Sequence, residues 1–449
     1  MLRRSLLLLA LISIAAAPAA ALDLTILTRS KALRLIGADD PQAARGIVRF
    51  GADPALADAP DPSCPAASTF ELGLFTSRTN GVERGEKVEL DCAKWRRRDG
   101  GWVYADAAAP GGVRAIIYGP SGLTVKLAGP GVLPAEGPLG YAFVWFEVGA
   151  RRYHGRFHEF RRNDATRIVS RTTPRIAAEG ERGFWAVLSG DDASDTAQQA
   201  TLSALRGASA ASARDGRSRF LLAMLHLYRF GQMSTAIATA SPAAIAELRA
   251  AVAAFDEAEP LLWDFDARVG DSRVPGFGAA ARYALAVATD DEGLRQRALD
   301  EFDYALEINA FFNVFDLMTV LQAEPPSSPA FQSAFAAIDA YITAPTTLQC
   351  IVTQPEVCSN NGLGPSSLPG TFVLFGDVYA KAGRLDIATN WYNAAVASEA
   401  GWAFEGLAAA RRAGVEARVA AYQDADPGND PPIIGSGVEA CRSCHYRNG

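Results

Sequence analysis

The chain has 449 residues, 49% apolar and 21% charged, which is an ordinary globular balance with length for two or three domains and excludes global disorder. Its formal charge is −7, and loss of Arg3 and Arg4 with a leader takes it to −9. That balance opposes broad nucleic-acid binding, which needs a surplus of Lys and Arg facing phosphates.

The leader is predicted at residues 1–21. Arg3 and Arg4 form a positive start, Leu6 to Ala17 an apolar core, and Ala19-Ala20-Ala21 a small-residue cleavage site, so the mature chain starts at Leu22. The apolar run is about a dozen residues, short of the roughly 20 that span a bilayer. No other stretch is long and apolar enough to cross, so a periplasmic or secreted location is expected.

Residues 22–168 read as one all-β domain, an antiparallel sandwich or barrel. Short alternating runs such as "ALRLIG", "GIVRFG", "TFELGLF", "KVELDC", "GVRAIIYG", "LTVKLAG" and "AFVWFEVG" are separated by Gly, Pro, Asn and Asp. "FVWFEVGARRYHGRFHEF" reads as the last hairpin, turning near Gly149 to Arg151. In it His154 and His158 share a strand face at about 13 Å, too far for one metal to bridge. With Arg151, Arg152, Arg156, Arg161 and Arg162 nearby, the segment reads as a solvated basic edge strand, with anion or haem-propionate binding as the alternative.

From "TTPRIAAEGERGFWAVLSG" onward the texture becomes Ala-rich with three- and four-residue apolar spacing, predicting a helical linker over 169–214 and a helical domain over 215–420. Within "TFVLFGDVYAKAGRLDIATNWYNAA", Phe372, Phe375, Gly376, Tyr379, Ala388, Tyr392 and Ala395 fall at the spacings of a tetratricopeptide repeat. Ala251, Phe255 and Ala258 repeat the end of that pattern, as do Ala298, Phe302 and Ala305. Over roughly 215–420 the chain thus resembles the tetratricopeptide-type helical repeats. The 371–397 unit carries most of the likeness, while Ala400 stands where that family places proline and the spacing is irregular. The resemblance implies stacked helix pairs whose concave face commonly holds peptides or partner proteins. By themselves the named aromatics and alanines report helix-on-helix packing.

Residues 421–449 form a Pro-, Gly- and Asp-rich segment, read as an extended tail laid over the surface. Asp424, Asp426 and Asp430 lack the glycine and later carboxylate of a calcium loop and read as solvated linker. The tail ends in "ACRSCHYRNG", where Cys441, Cys444 and His445 spell Cys-x-x-Cys-His. This resembles the haem-attachment motif of c-type cytochromes over five residues. The resemblance implies thioether bonds from Cys441 and Cys444 to the haem vinyl groups and His445 as proximal iron ligand. Only Tyr446 to Gly449 follow, so the pocket and any second axial ligand must come from earlier segments: His226, Met224 and Met318 are the main candidates, with His154, His158 and Met233 behind them. Structural disulfide, thiol redox chemistry and zinc binding compete with haem, although zinc would need a fourth ligand.

The remaining cysteines suggest local pairs, Cys64 with Cys92 and Cys350 with Cys358, among 15 pairings open to six cysteines. On the chain-entropy account closing these loops contributes about 3.5 and 2.5 kcal/mol. His226 reads by default as a satisfied core histidine. No nucleophile elbow, H-E-x-x-H or phosphate loop appears, and an enzyme is not expected. The expectation is an exported protein carrying one covalent haem c, transferring electrons to or docking with a redox partner or envelope protein. Its rival is a non-enzymatic periplasmic adaptor whose terminal cysteines form only a disulfide. A third reading, glycan binding by the β-domain, leans on Trp95, Trp102 and Trp145 as exposed aromatics.

Overall fold

The computed structural model describes residues 23–37, 40–75, 82–83, 87–129, 132, 139–344, 368–423 and 430–433, apart from isolated positions at 109, 165, 235, 267, 400–401, 403 and 405. Strands fill the chain from Asp23 to Ser170. They are β1 (Asp23–Leu27), β2 (Ser30–Ile36), β3 (Arg45–Phe50), β4 (Ser68–Phe75), β5 (Val82–Glu83), β6 (Val88–Leu90), β7 (Trp95–Arg98), β8 (Gly101–Ala105), β9 (Val113–Gly119), β10 (Gly122–Ala128), β11 (Tyr141–Val148), β12 (Arg151–Phe157), β13 (Phe160–Asp164) and β14 (Arg167–Ser170).

Two sheets result. One holds eight strands in the order β13-β14-β2-β3-β10-β9-β8-β7. The other holds six, running β1-β12-β11-β4-β5 with β6 also on β4. All pairings are antiparallel except β1 on β12, which is parallel and departs from the purely antiparallel expectation. Alternation explains which side chains meet between the sheets. Leu33, Val48, Ile116 and Val125 come from one sheet and Phe70, Val144, Phe146 and Tyr153 from the other, in one buried cluster. Full burial of each such side chain stabilises by roughly 1.5–3 kcal/mol. Across the middle, the Tyr118 and Tyr153 hydroxyls hydrogen-bond at 3.0 Å. Gly155 is required there, because a Cβ would overlap the Phe50 ring.

The β11–β12 pair is the expected hairpin, turning at Gly149 with φ 56°. It is not the last one, since β13 and β14 form a further hairpin in the other sheet. Nor is β12 an edge strand. The segment 23–27 pairs with it along its outer side, so it lies between β1 and β11. The edge reading fails because that pairing joins residues more than a hundred positions apart.

Helices follow: α1 (Arg175–Ser189), α2 (Asp195–Ala211), α3 (Gly216–Met233), α4 (Pro242–Leu262), α5 (Val274–Thr289), α6 (Glu292–Asn313), α7 (Met318–Ala323), α8 (Pro329–Ile342), α9 (Leu368–Lys381), α10 (Leu385–Ser398), α11 (Leu407–Ala413) and α12 (Val415–Tyr422). Their starts are written locally: Ser194, Asp215, Ser241, Asp291 and Ser328 each accept a hydrogen bond from a first-turn amide. Neighbouring helices pack in sequence, α3 on α4, α5 on α6 and α9 on α10. Ala251, Phe255, Ala258, Ala298, Phe302 and Ala305 are all buried in these contacts. At Gly376 a Cβ would overlap the Tyr392 ring, so glycine sets how closely α9 and α10 approach.

Among the described residues no helix is long and apolar enough to cross a membrane.

Candidate functional site

Strand β11 reads "YAFVWFEV", and period two sends Ala142, Val144, Phe146 and Val148 into the sheet-to-sheet core. The opposite face therefore carries Tyr141 and Phe143, a separate buried cluster, with Trp145 partly buried against them. The helical half covers this face. Arg273, just before α5, lies over the Tyr141 ring at 5.1 Å, and Gly140 abuts the Gly270 backbone so closely that a Cβ would not fit. Further along the seam Arg182 of α1 pairs with buried Asp53 at 3.2 Å.

Next to the aromatics stand the two histidines and Arg156. The His154 ring lies 4.2 Å from Trp145 and 6.1 Å from Phe143, while His158 lies 6.0 Å from Tyr141. His158 follows the end of β12, so the pair does not share a strand as expected. Arg156 donates from Nε to His154 Nε2 at 2.8 Å. Only 9% of Arg156 is exposed, yet its Nη1 and Nη2 have no hydrogen-bond partner among the described residues.

Of these groups Arg156 and His158 border a cavity of about 40 Å³, whose lining also includes Glu159, Thr173, Asp215 and Arg217. Its charges are unevenly committed. Arg217 Nη2 pairs with Glu181 at 2.8 Å, and Asp215 caps α3 by accepting from the Ser218 amide at 2.8 Å. Arg273 is clamped by Asp271, its Nε donating at 2.6 Å. Burial, joined by repulsion from the neighbouring arginines, pushes both imidazoles well below the ordinary histidine range and holds them neutral. Burial and then Asp215 push the Glu159 carboxyl up to about 7. Burial and then Arg273 bring Arg156 down to about 9, far under a normal guanidinium. The lining thus sets Arg156, Arg171 and Arg217 against Glu159, Glu181 and Asp215, and of the three arginines Arg156 has both terminal nitrogens unpartnered among the described residues. Among the described residues no cluster of three His, Cys, Asp or Glu could hold a metal.

The sequence-predicted haem residues Cys441, Cys444 and His445 lie outside the described residues, as do Cys350 and Cys358. Cys64 and Cys92 are joined, with Cα atoms 4.9 Å apart. His226 is a satisfied core histidine: Nδ1 meets Glu247 Oε2 at 2.5 Å and Nε2 faces Arg206 at 3.4 Å. Met318 is buried in the largest helical cluster, and Met224 packs against the cluster of α1 to α5. An axial role for any of the three would require it to leave these partners. Met233 is exposed.

Two readings are corrected. Trp95 is not an exposed aromatic: it is core, donating to Ser68 Oγ at 3.1 Å, and Trp102 and Trp145 are partly buried against their clusters. Asp430 is not solvated linker. It pairs at 2.8 Å with Lys381, a lysine whose side chain is fully buried. Beside it Arg418 donates to the Pro432 carbonyl, and the Ile433 amide donates to Gln322 Oε1 at 2.8 Å. The described piece of the tail is sunk into the helical core because Asp430 neutralises Lys381 and Ile433 fills an apolar site. Asp424 and Asp426 lie outside the described residues.

Sequence reasoning missed the seam cavity. The available signal was β11 itself, apolar on both faces, which marks a strand covered on both sides. No protein-family model, curated protein or solved structure matches this chain.

Proposed function

We propose that the chain is an exported c-type haem protein that transfers electrons to, or docks through its haem with, a redox partner in the envelope. The observation that carries this reading is the complete Cys-x-x-Cys-His spelling at 441–445. The residue types fit the group: two thiols two positions apart hold it covalently, and the adjacent imidazole of His445 offers the proximal nitrogen. Bound haem would supply one-electron redox chemistry. The buried anchor at Asp430–Ile433 adds a constraint. Eight residues of chain span at most about 29 Å, so Cys441 lies within that radius of Ile433, whose amide is bonded to Gln322 of α7, the helix that begins at Met318. Use of Met318 as second ligand would demand local opening of its core.

In this reading the helices act as a tetratricopeptide-like platform for the partner. The burial of the Ala and Phe positions named above, and the tight Gly376–Tyr392 contact, support it. Export follows from the leader read at residues 1–21.

The test is a pyridine haemochrome spectrum on denatured, acid-acetone-extracted protein made in a host with c-type maturation. A c-type band is expected in the native sequence and absent from Cys441→Ala/Cys444→Ala. A colourless, correctly expressed protein would sink the haem reading and leave an adaptor with a terminal disulfide.

A further inference from the structure

We propose that the seam cavity is a binding site for one small oxyanion, of phosphate or carboxylate size, held chiefly by the Nη1 and Nη2 groups of Arg156. Four observations converge on it. The guanidinium is nine-tenths buried and its two terminal nitrogens are unpartnered among the described residues, although buried donors are almost always satisfied. Arg156 lines an actual cavity of about 40 Å³, and because roughly 10–15 Å³ of such space admits one water, about three oxygen-sized groups fit. No carboxylate hydrogen-bonds Arg156 among the described residues, although Asp271 acts on it through space. On its own strand His154 only accepts from Nε, and the neighbouring His158 is neutral. From the helical side Arg217 and Arg273 bring their own carboxylates, Glu181 and Asp271, leaving no acid committed to Arg156. Two acids of the lining have no cationic hydrogen-bond partner among the described residues: Glu159, raised to about 7, and Asp215, whose Oδ1 caps α3 and whose Oδ2 is unpartnered; neither bonds Arg156.

A planar guanidinium with two free parallel N–H groups is the geometry that clamps two oxygens of a carboxylate or phosphate at once. Water could satisfy the donors but would leave the buried charge uncompensated. Hydroxyl side chains of Ser30 and Thr173, which meet at 2.5 Å on the cavity wall, offer neutral donors beside it. The sheet and the helical half each supply part of the lining, so the anion would fasten the two together. This inference is independent of the haem reading.

The experiment titrates the full chain, in its Cys441→Ala/Cys444→Ala form so that no haem propionate competes, with inorganic phosphate, sulfate and acetate at ionic strength held constant by chloride. Calorimetry should show saturable binding of one equivalent of at least one anion, and the melting temperature should rise by about 2–4 °C at saturation. Preference for acetate would mark an organic acid as the source, and preference for phosphate a phosphate compound. Arg156→Met should abolish the heat and the shift. Arg156→Lys, which keeps charge but loses the fork, should weaken binding at least tenfold. No saturable heat with any of the three anions in the unsubstituted protein overturns the proposal, and so does undiminished binding by Arg156→Lys. The first criterion holds even if Arg156→Met does not fold.

Discussion

Arg282 and Arg156 are both guanidinium groups held out of water, and they are treated in opposite ways. Arg282 of α5 is surrounded by acids: Nη1 donates to Glu259 at 2.9 Å and Glu301 at 2.8 Å, and Nη2 to Asp256 at 2.6 Å and Glu259 at 2.8 Å. Its charge is spent inside the fold, and the acids on α4 and α6 are drawn to α5 by it. Arg156 makes one hydrogen bond, to a neutral imidazole, and lies over the Tyr141 ring at 5.8 Å, but no carboxylate bonds it among the described residues. Desolvating an ion costs several kcal/mol unless partners compensate. The comparison separates an arginine whose charge is met by acids of the fold from one met, among the described residues, only by a ring and an imidazole.

The sharpest way to break the contrast is Arg282→Met. It strands Glu259, a carboxylate only 8% exposed, and should lower unfolding free energy by about 3–5 kcal/mol in urea titrations. A loss below about 1 kcal/mol would show that the cluster is not structural. Adding Glu259→Gln to that variant should recover about 1–3 kcal/mol, since the stranded charge is then gone. Arg156→Met, by contrast, should leave stability unchanged or raise it by about 1 kcal/mol in anion-free buffer. A fall as large as that of Arg282→Met would erase the distinction.

The smallest effect concerns pH. Glu159 has its folded-state pKa raised to about 7, above the unfolded value near 4.3, so the folded state holds the extra proton between those limits. Its contribution to stability therefore falls as pH rises from about 4.3 to about 7 and is flat outside that window. Glu159→Gln should remove this fall, gaining about 1 kcal/mol at pH 8 after allowance for its partial exposure, and nothing at pH 4. Equal gains at both pH values would refute the assignment.

The sequence was legible where the signal is local. "GVRAIIYG" becomes β9, and its alternation survives even a bulge opposite Lys126 and Leu127 that turns both Val113 and Ile116 inward. Capping residues announce most helix starts, and Cys64 finds Cys92 as its nearest oxidisable neighbour in sequence. What stayed hidden depends on partners far along the chain. An arginine-rich strand reads as solvated unless β1 is known to pair with it and the 217–273 region to cover it. Asp430 reads as linker because nothing near it discloses a buried lysine 49 positions earlier.

The aromatic face of β11 has a consequence for how the molecule can be divided. The texture of the chain changes near residue 170, yet a fragment ending there would present Tyr141, Phe143 and Trp145 to water as one contiguous apolar patch. Such a piece would be adhesive and prone to self-association. The sandwich thus depends on its helices: it cannot be lent to another protein without a substitute for the cover they give that face.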